Sequence, residues 1–224
     1  MKLTGNTILT TGGGSGIGRG LAEVFHHEGN KVIVAGRDQT KLDAVVAANP
    51  GMWSLAVDVT SPASIRALVA RASADFPSLN IVIHNAGIMR TEDLLNQQEP
   101  WSVVDDIVAT NLVGPIRLTA ELLPTLRKQP QAVIIFVSSG LAFLPLAITP
   151  TYCATKAAIH SYVQSLRYQL HETSIEVIEL IPPYVRTALM GDWSANDPSA
   201  MPLEEFIAEL CKFCASRRRR RRST

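Results

Sequence analysis

Short β-branched runs alternate with longer stretches of helical periodicity from one end of the chain to the other. The runs are Thr7 to Thr11, Lys31 to Ala35, Trp53 to Val57, Asn80 to His84, Ala132 to Ser138 and Ile175 to Leu180. The first helical stretch puts Ile17, Leu21, Val24 and Phe25 on one face and stops at Gly29-Asn30, a C-terminal signal. Strand, helix, strand at this spacing predicts βαβ units, and right-handed crossovers then require an α/β fold with a doubly wound parallel sheet and helices on both faces. Several runs are apolar along their whole length, as a sheet covered on both faces needs.

The last sixth of the chain departs from this alternation. Ile181-Pro182-Pro183 leads into a short segment to Trp193, a polar loop, a helix-like stretch from Pro202 to Ala215, and six consecutive arginines, Arg217 to Arg222. No further strand is predicted. The division expected is one dinucleotide-binding domain over 1–216 and a disordered arginine-rich tail over 217–224. Across the 224 residues, 21 Lys and Arg face 20 Asp and Glu; without the run the balance is 15 against 20, so the body is acidic. Phosphate-backbone binding needs a clustered cationic excess, so any nucleic-acid role would have to reside in the tail, and none is expected. A block of like charges repels itself, which predicts a solvated segment. The longest strongly apolar run is strand-sized, which excludes a membrane span. The N-terminus has no signal-peptide pattern and three cysteines make no disulfide framework, so a cytoplasmic protein is expected.

Thr11-Gly12-Gly13-Gly14-Ser15-Gly16-Ile17-Gly18 leaves the first strand and opens the first helix. Glycines there permit a tight turn and close approach of backbone to a pyrophosphate, and free N–H groups at the helix start attract the anion. Glycines also serve ordinary turns, but their position inside a βαβ unit favours the nucleotide. The end of the second strand should select the cofactor. An NAD site usually has an acidic side chain there for the ribose 2′-hydroxyl, whereas Val34-Ala35-Gly36-Arg37 has none and offers a guanidinium suited to a 2′-phosphate, which favours NADP. The competing reading makes Arg37 a solvated loop charge and gives the ribose contact to Asp38.

Tyr152-Cys153-Ala154-Thr155-Lys156 puts a phenol and an ammonium four residues apart on one helix face, with Thr149 and Pro150 as cap and first turn. The lysine, aided by a cationic nicotinamide, would lower the phenol toward a useful acid/base value. Ser138-Ser139 emerges on the same sheet edge as the glycine loop and offers a hydroxyl to polarise a carbonyl. Asn111 lies in an amphipathic helical stretch from about Trp101 to Leu123, four residues before Pro115. Proline cannot donate to the Asn111 carbonyl, so a free carbonyl able to hold a water is expected in mid-helix. Taken singly, each of these residues has an ordinary surface, turn or kink role.

Together, Thr11-Gly12…Gly16-Ile17-Gly18, Asp58-Val59, Asn85-Ala86-Gly87, Asn111, Ser139, Tyr152…Lys156 and Pro182…Val185-Arg186-Thr187 resemble the short-chain dehydrogenase/reductase family of the Tyr-Lys type. Within it, the chain is similar to the bacterial DltE-like oxidoreductases. The resemblance, from about Met1 to Leu210, implies a Rossmann-type fold and an oxidoreductase that moves a hydride between NADP, less favourably NAD, and a small uncharged carbonyl or alcohol. It implies Tyr152 as acid/base, Lys156 holding the ribose and lowering the tyrosine, and Ser139 orienting the substrate oxygen. The family's serine commonly lies thirteen residues before its tyrosine, which selects Ser139 over Ser138. Asn111 would hold the water of a proton relay. Gly12, Ser15, Gly16, Ile17, Gly18 and Arg37 would meet the cofactor phosphates, Asp58 and Val59 the adenine, Asn85, Ala86 and Gly87 the cofactor flank, and Val185 and Thr187 the carboxamide.

The resemblance also implies a homodimer built on the helix of Asn111 and the helix after Tyr152, where Ala154, Ala157, Ala158 and Ser161 permit close approach. Two departures stand out. The usual Pro-Gly after the sixth strand is Pro182-Pro183, and the family's seventh edge strand is missing, so a shortened or altered C-terminus is expected. Leu141, Phe143, Leu144, Tyr184, Leu189, Met190 and Trp193 are candidate substrate contacts, mostly apolar. Cys211-Lys212-Phe213-Cys214 is expected to pack on a terminal helix, since only Cys153 remains to complete any metal site, and no metal is expected. An NADPH-binding regulator of the same fold without turnover is the alternative function.

Overall fold

The computed structural model describes residues 3–96 and 101–220, with side chains described except at 193 and 213–220. Six strands, β1 (Thr7–Thr11), β2 (Lys31–Gly36), β3 (Trp53–Ala56), β4 (Leu79–His84), β5 (Ala132–Val137) and β6 (Ile175–Leu180), form one parallel sheet in the order β3-β2-β1-β4-β5-β6. The order reverses between β1 and β4, so the strand ends there open a crevice on the C-terminal edge.

Alternate strand residues feed two cores. Leu9, Ile33, Val82, Ile134 and Phe136 face α3 (Pro62–Asp75), α5 (Gly114–Leu126) and α6 (Pro150–Gln169). Ile8, Val32, Val34, Ile81, Ile83 and Val133 face α1 (Gly16–His27), α2 (Gln39–Ala48) and α8 (Leu203–Arg220). Double coverage explains why β1 and β5 are buried at every position. The α1 stop occurs where expected, with Gly29 at φ 81° and its N–H donating to the His26 carbonyl. α8 packs on α1, with Cys211 against that core. The side chains of Cys214 and Arg217 to Arg220, and Arg221 and Arg222 altogether, lie outside the described residues.

The predicted helical stretch from about Trp101 to Leu123 is helical throughout but irregular. Within it α4 (Trp101–Val108) passes through a π turn, Ala109–Val113, into α5, and the Gly114 N–H donates to the Ala109 carbonyl. Pro115 removes one ladder donor, and widening the turn is one way a helix absorbs that loss. The turn carries Asn111, which is buried rather than an exposed residue beside a kink. Among the described residues no helix is long and apolar enough to cross a membrane.

Candidate active site

At the end of β1 the chain turns through Gly12 to Gly18 into α1. Gly12 has φ 65°, and a Cβ there would stand 2.8 Å from Asn85 Nδ2 and 2.9 Å from Ala86 Cα, so only glycine fits. Asn85 closes this contact by donating Nδ2 to the carbonyls of Thr11 (3.1 Å) and Gly12 (3.3 Å). In return the Thr11 hydroxyl accepts the N–H groups of Asn85 (3.1 Å) and Ala86 (3.2 Å). The start of β1's exit loop is thus tied to the end of β4. Gly18 packs against the same Asn85 side chain, and Ile17 rests on the core beneath. On the other side Thr187 approaches Gly16, whose φ is 53°. Val185, buried two residues earlier, pairs with Met201. Ser15 is the N-cap of α1 but makes no side-chain cap bond, leaving the first-turn N–H groups unclaimed by it.

Arg37 is exposed just beyond β2, and Asp58 follows β3. Partial burial alone would raise the Asp58 carboxyl, but the Thr60 N–H (2.9 Å), the Thr60 hydroxyl (2.8 Å) and the Arg37 charge outweigh it and hold the group below the usual carboxylate range. Val59 is buried against Gly114. Asp38 is engaged as the N-cap of α2, accepting the Lys41 N–H at 3.1 Å, with Lys41 Nζ 3.5 Å from its other oxygen.

The remaining residues meet between β4, β5 and α6. Tyr152 and Lys156 are buried one turn apart on α6, and Lys156 Nζ donates to the Val137 carbonyl at 2.9 Å, 5.5 Å from the phenol ring centroid. The Ser139 hydroxyl is hydrogen-bonded to the phenol and accepts the Leu141 N–H at 3.1 Å. Ser138 is buried, and its hydroxyl donates instead to the Leu180 carbonyl at 3.5 Å. Asn111 accepts the Ile88 N–H and donates to the Ile88 carbonyl, both at 2.8 Å, and reaches Thr155 Oγ1 at 3.3 Å. Gly87 lies beside both the Asn111 carboxamide and the Lys156 ammonium.

The expected lowering of the phenol does not arise within the chain. Burial pushes Tyr152 up to about 12, and the Ser139 hydrogen bond only partly offsets it. Lys156 does not help because it is itself desolvated, which brings it down to about 8 and disfavours its charge.

Two polar arrangements here had no local sequence signal. Thr149 begins α6 but its side chain does not cap the helix, and Pro150 has no N–H to cap. Glu92, far upstream, supplies the cap: its carboxylate accepts the Thr151 N–H (3.0 Å) and the Thr151 hydroxyl (2.6 Å), next to Tyr152. Two turns along α6, His160 Nδ1 is 2.8 Å from the buried Glu179 carboxylate of β6, and the imidazole stands at 69° to the Phe143 ring with centroids 4.7 Å apart. Leu141, Leu189 and Met190 pack beside Tyr152 with Met89, Phe143 and Leu144 are exposed, Tyr184 donates its hydroxyl to Asp197 at 2.8 Å, and the Trp193 side chain lies outside the described residues. Among the described residues no His, Cys, Asp or Glu group is arranged to hold a metal ion.

Residues 6–198 match the family model described as short chain dehydrogenase. The chain belongs to the short-chain dehydrogenase family. Its relatives in that family include a Bacillus subtilis (strain 168) protein described as the uncharacterized oxidoreductase DltE, 44% identical over 189 residues that make up 84% of this chain and 75% of the relative. Solved structures share the fold. A 3-ketoacyl-(acyl-carrier-protein) reductase from Brucella melitensis, complexed with NADH, superposes with a TM-score of 0.85 at 27% identity, covering 95% of this chain and 92% of that one. A short-chain dehydrogenase from Sphingobium yanoikuyae in complex with NADPH gives 0.82 at 27% identity, covering 94% and 84%. This short-chain dehydrogenase is therefore an oxidoreductase, with the six-stranded Rossmann-type sheet expected from its sequence.

Proposed function

We propose that this oxidoreductase is NADP-dependent and interconverts a small uncharged carbonyl compound and its alcohol, with Tyr152 as the acid/base. The observation that carries the reading is the Ser139 hydroxyl on the Tyr152 phenol, with the Lys156 ammonium one turn away on the same helix. The glycine loop suits a dinucleotide, because its first-turn N–H groups are not taken by Ser15 and its glycines leave no side chain between backbone and a pyrophosphate. When bound, the nicotinamide supplies the hydride in the reduced form and accepts it in the oxidised form.

The chain's own residues do the rest. In the reducing direction Ser139 donates a hydrogen bond to the substrate oxygen, and Tyr152 passes its phenolic proton to that oxygen as the hydride reaches the carbon. Lys156 steadies the phenolate left behind and holds the ribose. Asn111 fixes the Ile88 backbone and, at the π turn, a water through which solvent returns the proton to Tyr152 by way of Lys156. A phenol at about 12 holds its proton firmly, so its role as base in the reverse direction would need a positive charge that an oxidised nicotinamide would supply when bound.

For the cofactor phosphate, Arg37 is exposed with Gly36 before it, while Asp38, the alternative ribose contact, is occupied at the start of α2. Lys41 adds a second cation nearby. Asp58 and Val59 meet the adenine, Asn85 to Gly87 the cofactor flank, and Val185 and Thr187 the carboxamide. The exposed small residues of α6, Ala154, Ala157 and Ser161, form the face of a homodimer. Consumption of NADPH against a panel of uncharged ketones and aldehydes is the test. Turnover with NADPH preferred over NADH is expected; binding of NADPH with no turnover of any member would favour the regulator instead.

A further inference from the structure

The three segments that leave the ends of β4, β5 and β6 are stitched together around Tyr152. The Glu92 N–H donates to the Ile148 carbonyl at 2.9 Å, and the Gly140 N–H to the Pro182 carbonyl at 3.1 Å. Met89, Leu141, Leu189 and Met190, drawn from all three segments, pack with Tyr152 and Cys153 as an apolar floor. The same three segments also expose apolar side chains. Eight of the eleven large apolar side chains exposed among the described residues come from these three segments, among them Leu94 and Leu95 after β4, Phe143, Leu144 and Leu146 after β5, and Tyr184 after β6. Apolar surface gathered at one place marks a binding surface, whereas scattered exposed side chains need no explanation.

On the segment after β5, charge points the same way. From Ser138 to Thr149 the sequence has no charged residue at all. The carboxylates of Glu92, Asp93 and Asp197 are engaged by Thr151, by Leu95 and Asn96, and by Tyr184 and Ser199. Phe143 is also held in place while 55% exposed: its ring meets His160, which is fixed in turn by the buried Glu179. A buried carboxylate and an imidazole thus support an apolar ring at the mouth of the site.

We infer that this rim binds the aliphatic part of an extended, weakly polar substrate, whose carbonyl or alcohol carbon reaches Tyr152 while its chain lies across Phe143 and Leu144. The occupant is tied to the reaction because Phe143 and Leu144 follow Leu141, which packs with Tyr152, on the same segment. The inference rests on the proposed carbonyl chemistry and adds the size and polarity of the molecule that undergoes it.

The experiment uses the whole chain and straight-chain aldehydes and methyl ketones of increasing length. Along the middle of the series kcat/KM should rise about fourfold per added methylene, the fold-change equivalent of about 0.8 kcal/mol for each one buried. Calorimetric dissociation constants of the matching alcohols, with cofactor present, should show the same gradient without depending on turnover. Leu144→Ser and Phe143→Ser should each lower the long-to-short ratio by about tenfold. Trp53→Ser and Tyr168→Ser, at exposed apolar positions away from the mouth, should leave that ratio as it is. Melting curves on all four variants check that the fold survives. A flat series with measurable turnover of short compounds overturns the rim and spares the carbonyl reading. A gradient in binding without any turnover does the reverse. A steep gradient that the Leu144 and Phe143 variants leave intact also overturns the rim. So does an oligomer or vesicle association that Leu144→Ser abolishes while the gradient persists, since it gives the patch to a second copy or a lipid surface.

Discussion

Around Gly12 to Gly18 two side chains bond the main chain: Asn85 the carbonyls of Thr11 and Gly12, Thr11 the amides of Asn85 and Ala86, and Gly12 and Gly18 have no room for a Cβ. Around Tyr152 bonds between side chains join the segments, Glu92 on Thr151 and His160 on Glu179, with Asn111 on the Ile88 main chain. The first region is a tight turn of main chain and glycine, nearly free of exposed apolar groups, as suits a ligand recognised through phosphates and N–H donors. The second is built of side chains, on segments that also carry exposed apolar residues. One sheet edge thus combines a generic backbone cradle with a side-chain pocket free to vary, which is how a single fold serves many substrates.

The sharpest strain on this contrast comes from acid, because it acts beneath both regions. His84 ends β4, fully buried, with Nε2 on the Thr119 hydroxyl at 2.9 Å and its ring stacked on Phe136, and burial brings it down to about 3 from 6.5. Its folded value lies below its unfolded one, so as pH falls through 6.5 the unfolded chain gains a proton the folded chain refuses. Stability should decline between pH 6.5 and 3, by about 5 kcal/mol in total at 1.36 kcal/mol per pH unit. Denaturant midpoints across that range read it, and His84→Gln should flatten the dependence; a His84→Gln curve as steep as the unaltered one would remove His84 as the cause.

Tyr152→Phe tests the side-chain half alone. Turnover should fall by about 10² or more while the dissociation constant of NADPH changes little, since the phenol moves a proton and the glycine loop carries the phosphates. Comparable losses in both would mean that the two halves are not separable. Arg37→Ala is the complementary cut on the other half: the preference for NADPH over NADH should shrink by the worth of one charge-assisted phosphate contact, about 1.5–3 kcal/mol, with turnover of saturated enzyme retained. Equal dissociation constants for the two cofactors before any substitution would refute the NADP reading.

The smallest effect belongs to Glu92. Glu92→Ala should destabilise the fold by about 1 kcal/mol, the usual cost of losing a helix N-cap, and should lower kcat more than it weakens cofactor binding, because Thr151 adjoins Tyr152. Glu92→Asp shortens the reach by one methylene and should fall between the two; thermal melts and steady-state kinetics give both numbers.

Strand position was legible in the chain to within one residue at every end. β1 and β6 match the predicted runs, β2 extends one residue to Gly36, and β5 ends one residue early at Val137. Doubly covered strands must be apolar throughout, so burial is written into composition there. The glycine loop and the Tyr152 and Lys156 spacing were legible for a similar reason: a tight turn and one helical turn are local constraints. Choosing Ser139 over Ser138 needed either the family spacing or the structure, since nothing local distinguishes two adjacent hydroxyls.

What the sequence could not express is pairing across distance and the local dielectric. The π turn at Ala109–Val113 follows from how α4 and α5 reconcile Pro115 with the sheet beneath. The cap of α6 comes from Glu92, because Pro150 offers no N–H and Thr149 turns its hydroxyl toward Leu146 and Cys153. Lys156 aided by a cationic nicotinamide is expected to lower Tyr152, whereas within the chain itself burial pushes the phenol up to about 12 and the ammonium down to about 8. Spacing along a chain determines which groups share a face; only the packed structure determines how much water they lose, and that loss sets how readily they give up or take a proton.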